Sequence, residues 1–265
     1  MEMIQGMPKN TAQQRGSVWD FDQEVSLLFD QSAASWEKWR RFDPDPGLLR
    51  ANRIVIADRP DPASRAFDML RTKILQKARH NGWKSIAITS PTPGCGKSVT
   101  STNLAFSMAN QKNCRTLLVD FDLRRPQIAN LLGIDDPLPI AEMLGGARRV
   151  DDFLFRCADN LAVAANRTPV ELPAELLQHP DTAGCIAKIK QSPNFDFVIF
   201  DLPAMLANDD AISFMPNVDC VLLVLEADFT TPEEADICEY ELSQVSNVVG
   251  VALNKCRFSL DSRVY

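Results

Sequence analysis

The stretch 89-TSPTPGCGKS-98 decides how the rest of the chain is read. It follows "SIAITS" (85–90), a β-branched apolar run with the character of a buried strand, and it leads into a helical pattern over 96–111. The segment is therefore the turn between a strand and a helix. Gly94 and Gly96 let the backbone turn its N–H groups toward an anion, Lys97 adds a mobile cation, and the Ser98 hydroxyl can hold Mg²⁺. The start of the following helix adds a favourable field for negative charge. We read Pro93, Gly94, Cys95, Gly96, Lys97, Ser98 and Val99 as a cradle for nucleotide phosphates. Pro91 stands where such loops usually carry their first glycine, so the work falls on the later residues.

Outward from this loop the same alternation repeats. Short apolar runs lie at 115–122, 161–166, 196–201, 220–227 and 248–254, with helical patterns at 173–191 and 232–246. Runs unbroken by polar residues suit strands buried on both faces, which predicts an α/β fold of the P-loop NTPase kind: a mostly parallel twisted sheet with helices on both faces. In such sheets ligands sit beyond the C-terminal strand ends. At the second strand's end is "LLVDFDLRRP", where Asp120 and Asp122 flank Phe121 and so point the same way. Two adjacent carboxylates call for a cation, and nucleotide-bound Mg²⁺ is the natural one; alternatively the pair caps a helix beginning near Pro126. The run "FDFVIFDLPAM" ends its strand on Asp201, a second candidate metal carboxylate.

Bulk properties exclude several classes. The chain has 265 residues and a formal net charge of −7, which disfavours a general grip on nucleic acid or anionic lipid. Seven cysteines, with no C-x-x-C pair, argue against a zinc site or a disulfide framework and point to a reducing, cytoplasmic compartment. The longest apolar runs fall well short of the roughly 18 residues of a membrane span, so no direct membrane insertion is expected. Residues 1–50 read as an N-terminal extension with a short amphipathic helix, ended by the turn "DPDPG" at 43–47. On that helix Trp36 and Trp39 either form a docking face or pack back on the domain. The domain itself is expected over 51–258, with a tail at 259–265.

Three segments together resemble the bacterial tyrosine kinases, P-loop autokinases of capsule and exopolysaccharide production. "ITSPTPGCGKSVTSTNLA" is similar to that family's Walker A segment, "LLVDFDLRRP" to its Walker A′ and "FVIFDLPAML" to its Walker B, while "LPAELL", "VALNK" and "FDMLRTKIL" match further patterns. The resemblance implies that Gly94, Gly96, Lys97 and Ser98 bind ATP and Mg²⁺ and that Asp122 and Asp201 hold the metal. It implies that Asp120 accepts the proton of a tyrosine hydroxyl, that Asn254 faces the adenine, and that Arg124 serves catalysis, phosphate or a neighbouring subunit; alternatively Arg124 makes a surface ion pair. It also implies a separate membrane adaptor of the chain-length-determinant kind and a possible homo-oligomer, with recruitment to the inner membrane face through that partner. The rival is a partition or division-site ATPase without tyrosine transfer. Such ATPases carry a lysine early in the loop, at the position of Thr92 here.

Two features depart from the kinase pattern. In place of a tyrosine cluster the chain has two tyrosines, of which Tyr265 is the candidate phosphoacceptor and Tyr240, inside a predicted helix, reads as structural. At the family's oligomerisation motif, normally E-x-x-R-x-x-R, the chain has Arg65, Asp68 and Arg71. Cys95 is read either as an outward, inert side chain or as a thiol whose oxidation blocks the loop.

Overall fold

The computed structural model describes residues 35–55 and 61–256. Among these, eight strands form one sheet: β1 (Arg40–Arg41), β2 (Ser85–Thr89), β3 (Thr116–Asp120), β4 (Leu154–Ala158), β5 (Leu161–Ala164), β6 (Phe197–Asp201), β7 (Cys220–Glu226) and β8 (Asn247–Asn254). Their order is β1-β4-β5-β3-β6-β2-β7-β8, and every neighbouring pair is parallel except β4 and β5. The strands β2, β3 and β6 are buried at every position, as their unbroken apolar runs require. The loop at 89–98 leaves the sheet's middle, and Asp120 and Asp201 sit side by side in register on β3 and β6.

Helices cover both faces. On one side α3 (Pro62–Asn81) and α4 (Lys97–Ala109) bury Ile74, Leu75, Leu104 and Met108 against Ile86, Ile88, Leu118 and Ile199. On the other side Phe121, Phe200 and Phe214 meet ring to ring, with centroids 5.0–5.3 Å apart. The same core takes in Trp36 and Trp39. Trp36 lies on α1 (Ser35–Lys38), Trp39 stacks on Phe195 at 5.4 Å, and its indole N–H donates to Asp151 at 2.9 Å. Of the two readings of these tryptophans, packing on the domain holds. Trp36 and Trp39 thus pack on the domain expected over 51–258.

Several local expectations are corrected. "DPDPG" is the start of α2 (Pro46–Ala51): the Asp45 carboxylate accepts the Leu48 N–H at 2.7 Å and Pro46 opens the first turn. The pattern at 173–191 is two helices, α7 (Pro173–Gln178) and α8 (Pro180–Gln191), because Pro180 holds His179 in extended backbone. The strand expected over 115–122 stops at Asp120, leaving Asp122 in the following turn. Strand β4 escaped the sequence reading, although Asp159–Asn160 between two short apolar runs is a two-residue hairpin signal. The short helices α6 (Ile140–Leu144) and α9 (Asp210–Phe214) were also missed, and α5 (Ile128–Leu132) begins just past the helix start considered near Pro126; α10 (Pro232–Val245) lies where expected, with Thr231 and Glu234 forming its capping box. Residues 1–34, the end of the domain after 256 and the tail with Tyr265 lie outside the described residues.

Candidate nucleotide and phosphoryl-transfer site

The loop turns through left-handed backbone at Gly94 (φ 96°) and Gly96 (φ 89°), conformations that cost any residue with a Cβ. Gly96 is doubly constrained, because a Cβ there would lie 2.2 Å from Asn254 Nδ2. Asn254 comes so close because its side-chain amide donates to the Cys95 carbonyl at 2.9 Å, which ties the end of β8 to the loop. The structure therefore gives Asn254 a contact with the loop backbone that the sequence did not suggest. Cys95 itself points inward, fully buried, with its thiol donating to the Thr92 carbonyl at 3.2 Å. This corrects the outward reading and leaves no exposed thiol in the loop.

Beneath the loop lies a buried charge cluster. Lys97 Nζ donates to Asp122 Oδ2 at 2.6 Å, and both side chains are at most a tenth exposed. Burial opposes the ammonium charge, but Asp201 and Asp122 outweigh it and raise the Lys97 pKa. The other oxygen of Asp122 accepts the Arg125 N–H at 2.9 Å. Asp120 is wholly buried, and its Oδ2 accepts the N–H groups of Gln127 and Ile128 at 3.0 and 2.9 Å. The helix-cap alternative thus holds for Asp120, at the start of α5. Burial, followed by the nearby Asp201 charge, pushes its pKa well above the usual carboxylate range. Asp201 is raised as well, by burial first, although Lys97 and the hydroxyls of Ser98 and Ser101 favour its charge; Ser101 Oγ donates to it at 2.9 Å. Ser101 was not singled out in the sequence, yet it lies one helical turn beyond Lys97 and so faces the same side.

Among the described residues, two carboxylate oxygens, Asp120 Oδ1 and Asp201 Oδ2, are buried without a hydrogen-bond partner. Such orphans are costly; a divalent cation is the kind of ligand that satisfies Asp201 Oδ2, and a hydrogen-bond donor the kind that satisfies Asp120 Oδ1. Among the described residues no three His, Cys, Asp or Glu side chains gather as a self-sufficient metal site. That suits Mg²⁺, which binds through one or two protein oxygens and completes its shell with phosphate and water. The residues present fit the ion.

Other candidates are placed elsewhere. Arg124 is spent on Asp210, 1% exposed, with Nη2 donating at 3.0 Å and Nε completing the pair, so the surface ion-pair reading holds. The hydrogen bond to Asp210 raises the Arg124 pKa further. Tyr240 is 69% exposed on α10, which corrects its structural reading. On α3, Arg71 turns into its own chain, donating to Asp68 at 2.6 Å and to the Ser107 carbonyl at 2.9 Å.

A phosphate-binding loop at the switch between β2 and α4, over paired carboxylates on β3 and β6, defines a P-loop nucleotide-binding domain. Residues 86–257 match the CobQ/CobB/MinD/ParA nucleotide binding domain, and the chain belongs to that family. Within it the chain groups with the bacterial tyrosine kinases. It is 30% identical over 200 residues to the tyrosine-protein kinase CpsD of Streptococcus agalactiae, a match covering 73% of this chain and 84% of CpsD. It is 29% identical over 207 residues to EpsB of Ralstonia solanacearum, also named a tyrosine-protein kinase; that match covers 77% of this chain but 27% of EpsB. The kinase domain of Escherichia coli tyrosine kinase ETK superposes with a TM-score of 0.71 at 25% identity, covering 86% of this chain and 87% of ETK's. The septum site-determining protein MinD of Pyrococcus horikoshii shares the fold, with a TM-score of 0.55 at 22% identity over 67% of this chain and 72% of its own.

Proposed function

We propose that this chain is an ATP-dependent protein-tyrosine kinase of the bacterial P-loop type, acting in capsule or exopolysaccharide production with a membrane-spanning adaptor. The supporting observation is the cluster of Lys97, Asp120, Asp122 and Asp201 under the loop, with its two unsatisfied carboxylate oxygens. The loop N–H groups between Gly94 and Val99 would hold the ATP phosphates, and Lys97 would exchange its hold on Asp122 for them. Ser98, Asp122 and Asp201 would hold Mg²⁺, which when bound draws charge from the transferred phosphoryl group.

Asp120 is the proposed acceptor of the tyrosine proton. Its raised pKa makes it a stronger base than an exposed aspartate, and Oδ1 is the oxygen its backbone contacts leave available. Asn254 contributes by holding the loop, and by facing the base as well. The relatives' names carry the choice of tyrosine as substrate, and Thr92 in place of an early loop lysine disfavours the partition-ATPase reading. No described helix is long and apolar enough to cross a membrane. The test is incubation with MgATP and the candidate adaptor, followed by phosphotyrosine detection. The expected result is phosphotyrosine that Lys97→Met abolishes and Tyr265→Phe reduces; ATP hydrolysis with no phosphotyrosine on any chain would overturn the reading.

A further inference from the structure

The two edges of the sheet are built differently. The β1 edge is two residues long, both arginine, a form that discourages further pairing. The β8 edge runs for eight residues, "NVVGVALN", without a charge or a proline. Among the described residues no strand pairs with its outer side. The Asn254 carbonyl accepts from Ala227 N–H on the β7 side, so by strand alternation Val251 and Leu253 turn their N–H and C=O groups away from the sheet. Farther along, Lys77 Nζ covers the Val249 carbonyl at 2.6 Å, and at the other end the weak Cys256 thiol approaches the Leu253 carbonyl at 3.5 Å. The side chains of Val251 and Leu253 are also uncovered, 48% and 61% exposed. Ala252 between them packs toward the α3 and α4 core, so both lie on the α10 face.

We propose that the chain's own segment 257–265, "RFSLDSRVY", docks on this edge, with Phe258 and Leu260 pairing antiparallel to Leu253 and Val251. The segment follows β8 directly, and Phe258, Leu260 and Val264 alternate with polar residues, as an edge strand over a half-covered face requires. A four-residue loop, Asn254 to Arg257, closes the hairpin in the register that the backbone directions demand, with Leu253 opposite Phe258 and Val251 opposite Leu260. Lys255 within that loop already has left-handed backbone, φ 57°, as hairpin reversals use, and its ammonium is anchored on Glu226 at 2.9 Å. Both pairs would then place apolar side chains directly opposite each other on one face.

The docked strand runs back from Asn254, which lies at the nucleotide loop, and so directs Tyr265 toward the opposite end of the sheet. If the chain is the kinase proposed above, on which this consequence alone rests, docking withholds Tyr265 from transfer, and release of the segment makes it available. The test uses the full chain and Leu260→Asp, a change outside the described fold. Residue-resolved amide exchange should show Val251 and Leu253 slowed by at least about tenfold in the wild type relative to Leu260→Asp, independent of protein concentration. Equal exchange in the two proteins, or protection that grows with concentration and so comes from a second copy, would overturn the docking. With MgATP, Leu260→Asp should raise Tyr265 phosphorylation several-fold. Equal phosphorylation with a protected edge would overturn the withholding, whereas no phosphotyrosine in either protein, again with a protected edge, would overturn the kinase reading and leave the docking supported.

Discussion

Replacing Gly96 by alanine tests the link between β8 and the phosphate loop. The new Cβ would sit 2.2 Å from Asn254 Nδ2, so that side chain must move and give up its bond to the Cys95 carbonyl. The backbone at φ 89° adds left-handed strain of about 1–2 kcal/mol, and the lost hydrogen bond about 1 kcal/mol, so Gly96→Ala should cost about 2–3 kcal/mol. Asn254→Ala alone loses the bond but strains nothing, at about 1 kcal/mol. In the double variant the clash is gone and the bond is lost once, so its cost should match Gly96→Ala alone. The double-mutant cycle should then show a coupling of about 1 kcal/mol in urea unfolding without nucleotide. Strict additivity would refute the argument, since it would mean that the two residues act on the loop independently.

Further perturbations follow from the buried charges and rings. Asp120 has a raised folded pKa, so its contribution is fully present below the unfolded value of 3.8 and is lost as pH rises through the folded pKa. Asp120→Asn should therefore resist urea better than the wild type at neutral pH and show a shallower fall in stability between acid and neutral pH, while abolishing phosphoryl transfer. Arg124→Ala strands the buried Asp210 carboxylate and should cost about 2–3 kcal/mol, below the range for a fully buried pair because Arg124 is half exposed; adding Asp210→Asn should recover much of it in thermal unfolding. Trp39→Ala removes a buried ring stacked on Phe195 and should cost about 3–5 kcal/mol in chemical unfolding. A result near zero would mean that residues 35–41 do not belong to the folded domain.

The loop and the order of the motifs were legible because each is local. A glycine pair before Lys-Ser, a strand before it and a helix after it occupy one window, and Asp120, Asp122 and Asp201 end apolar runs that the eye can find. The partner of Arg124 stayed unnamed because Asp210 lies 86 residues away on a short helix with no period to reveal it. Cys95 was misjudged because the direction of a side chain in a turn depends on the surrounding packing, here the loop at Thr230, whose hydroxyl lies 3.9 Å from the thiol. The tryptophans were ambiguous for the same reason: an apolar face on a short helix says that something covers it, and the cover is Phe195, more than 150 residues later.

By itself the sequence determined a P-loop α/β domain, its nucleotide loop and the carboxylates that face it, because hydrophobic periodicity and glycine conformation act over a few residues. Tertiary structure alone decided how those groups share their charge. It set Asp120 beside Asp201 on adjacent strands, gave Lys97 to Asp122, turned Asp120 to cap α5, and left two carboxylate oxygens unsatisfied. Strand order and register set these relations. Both are chosen by the packing of whole faces, and no local window of residues contains that information.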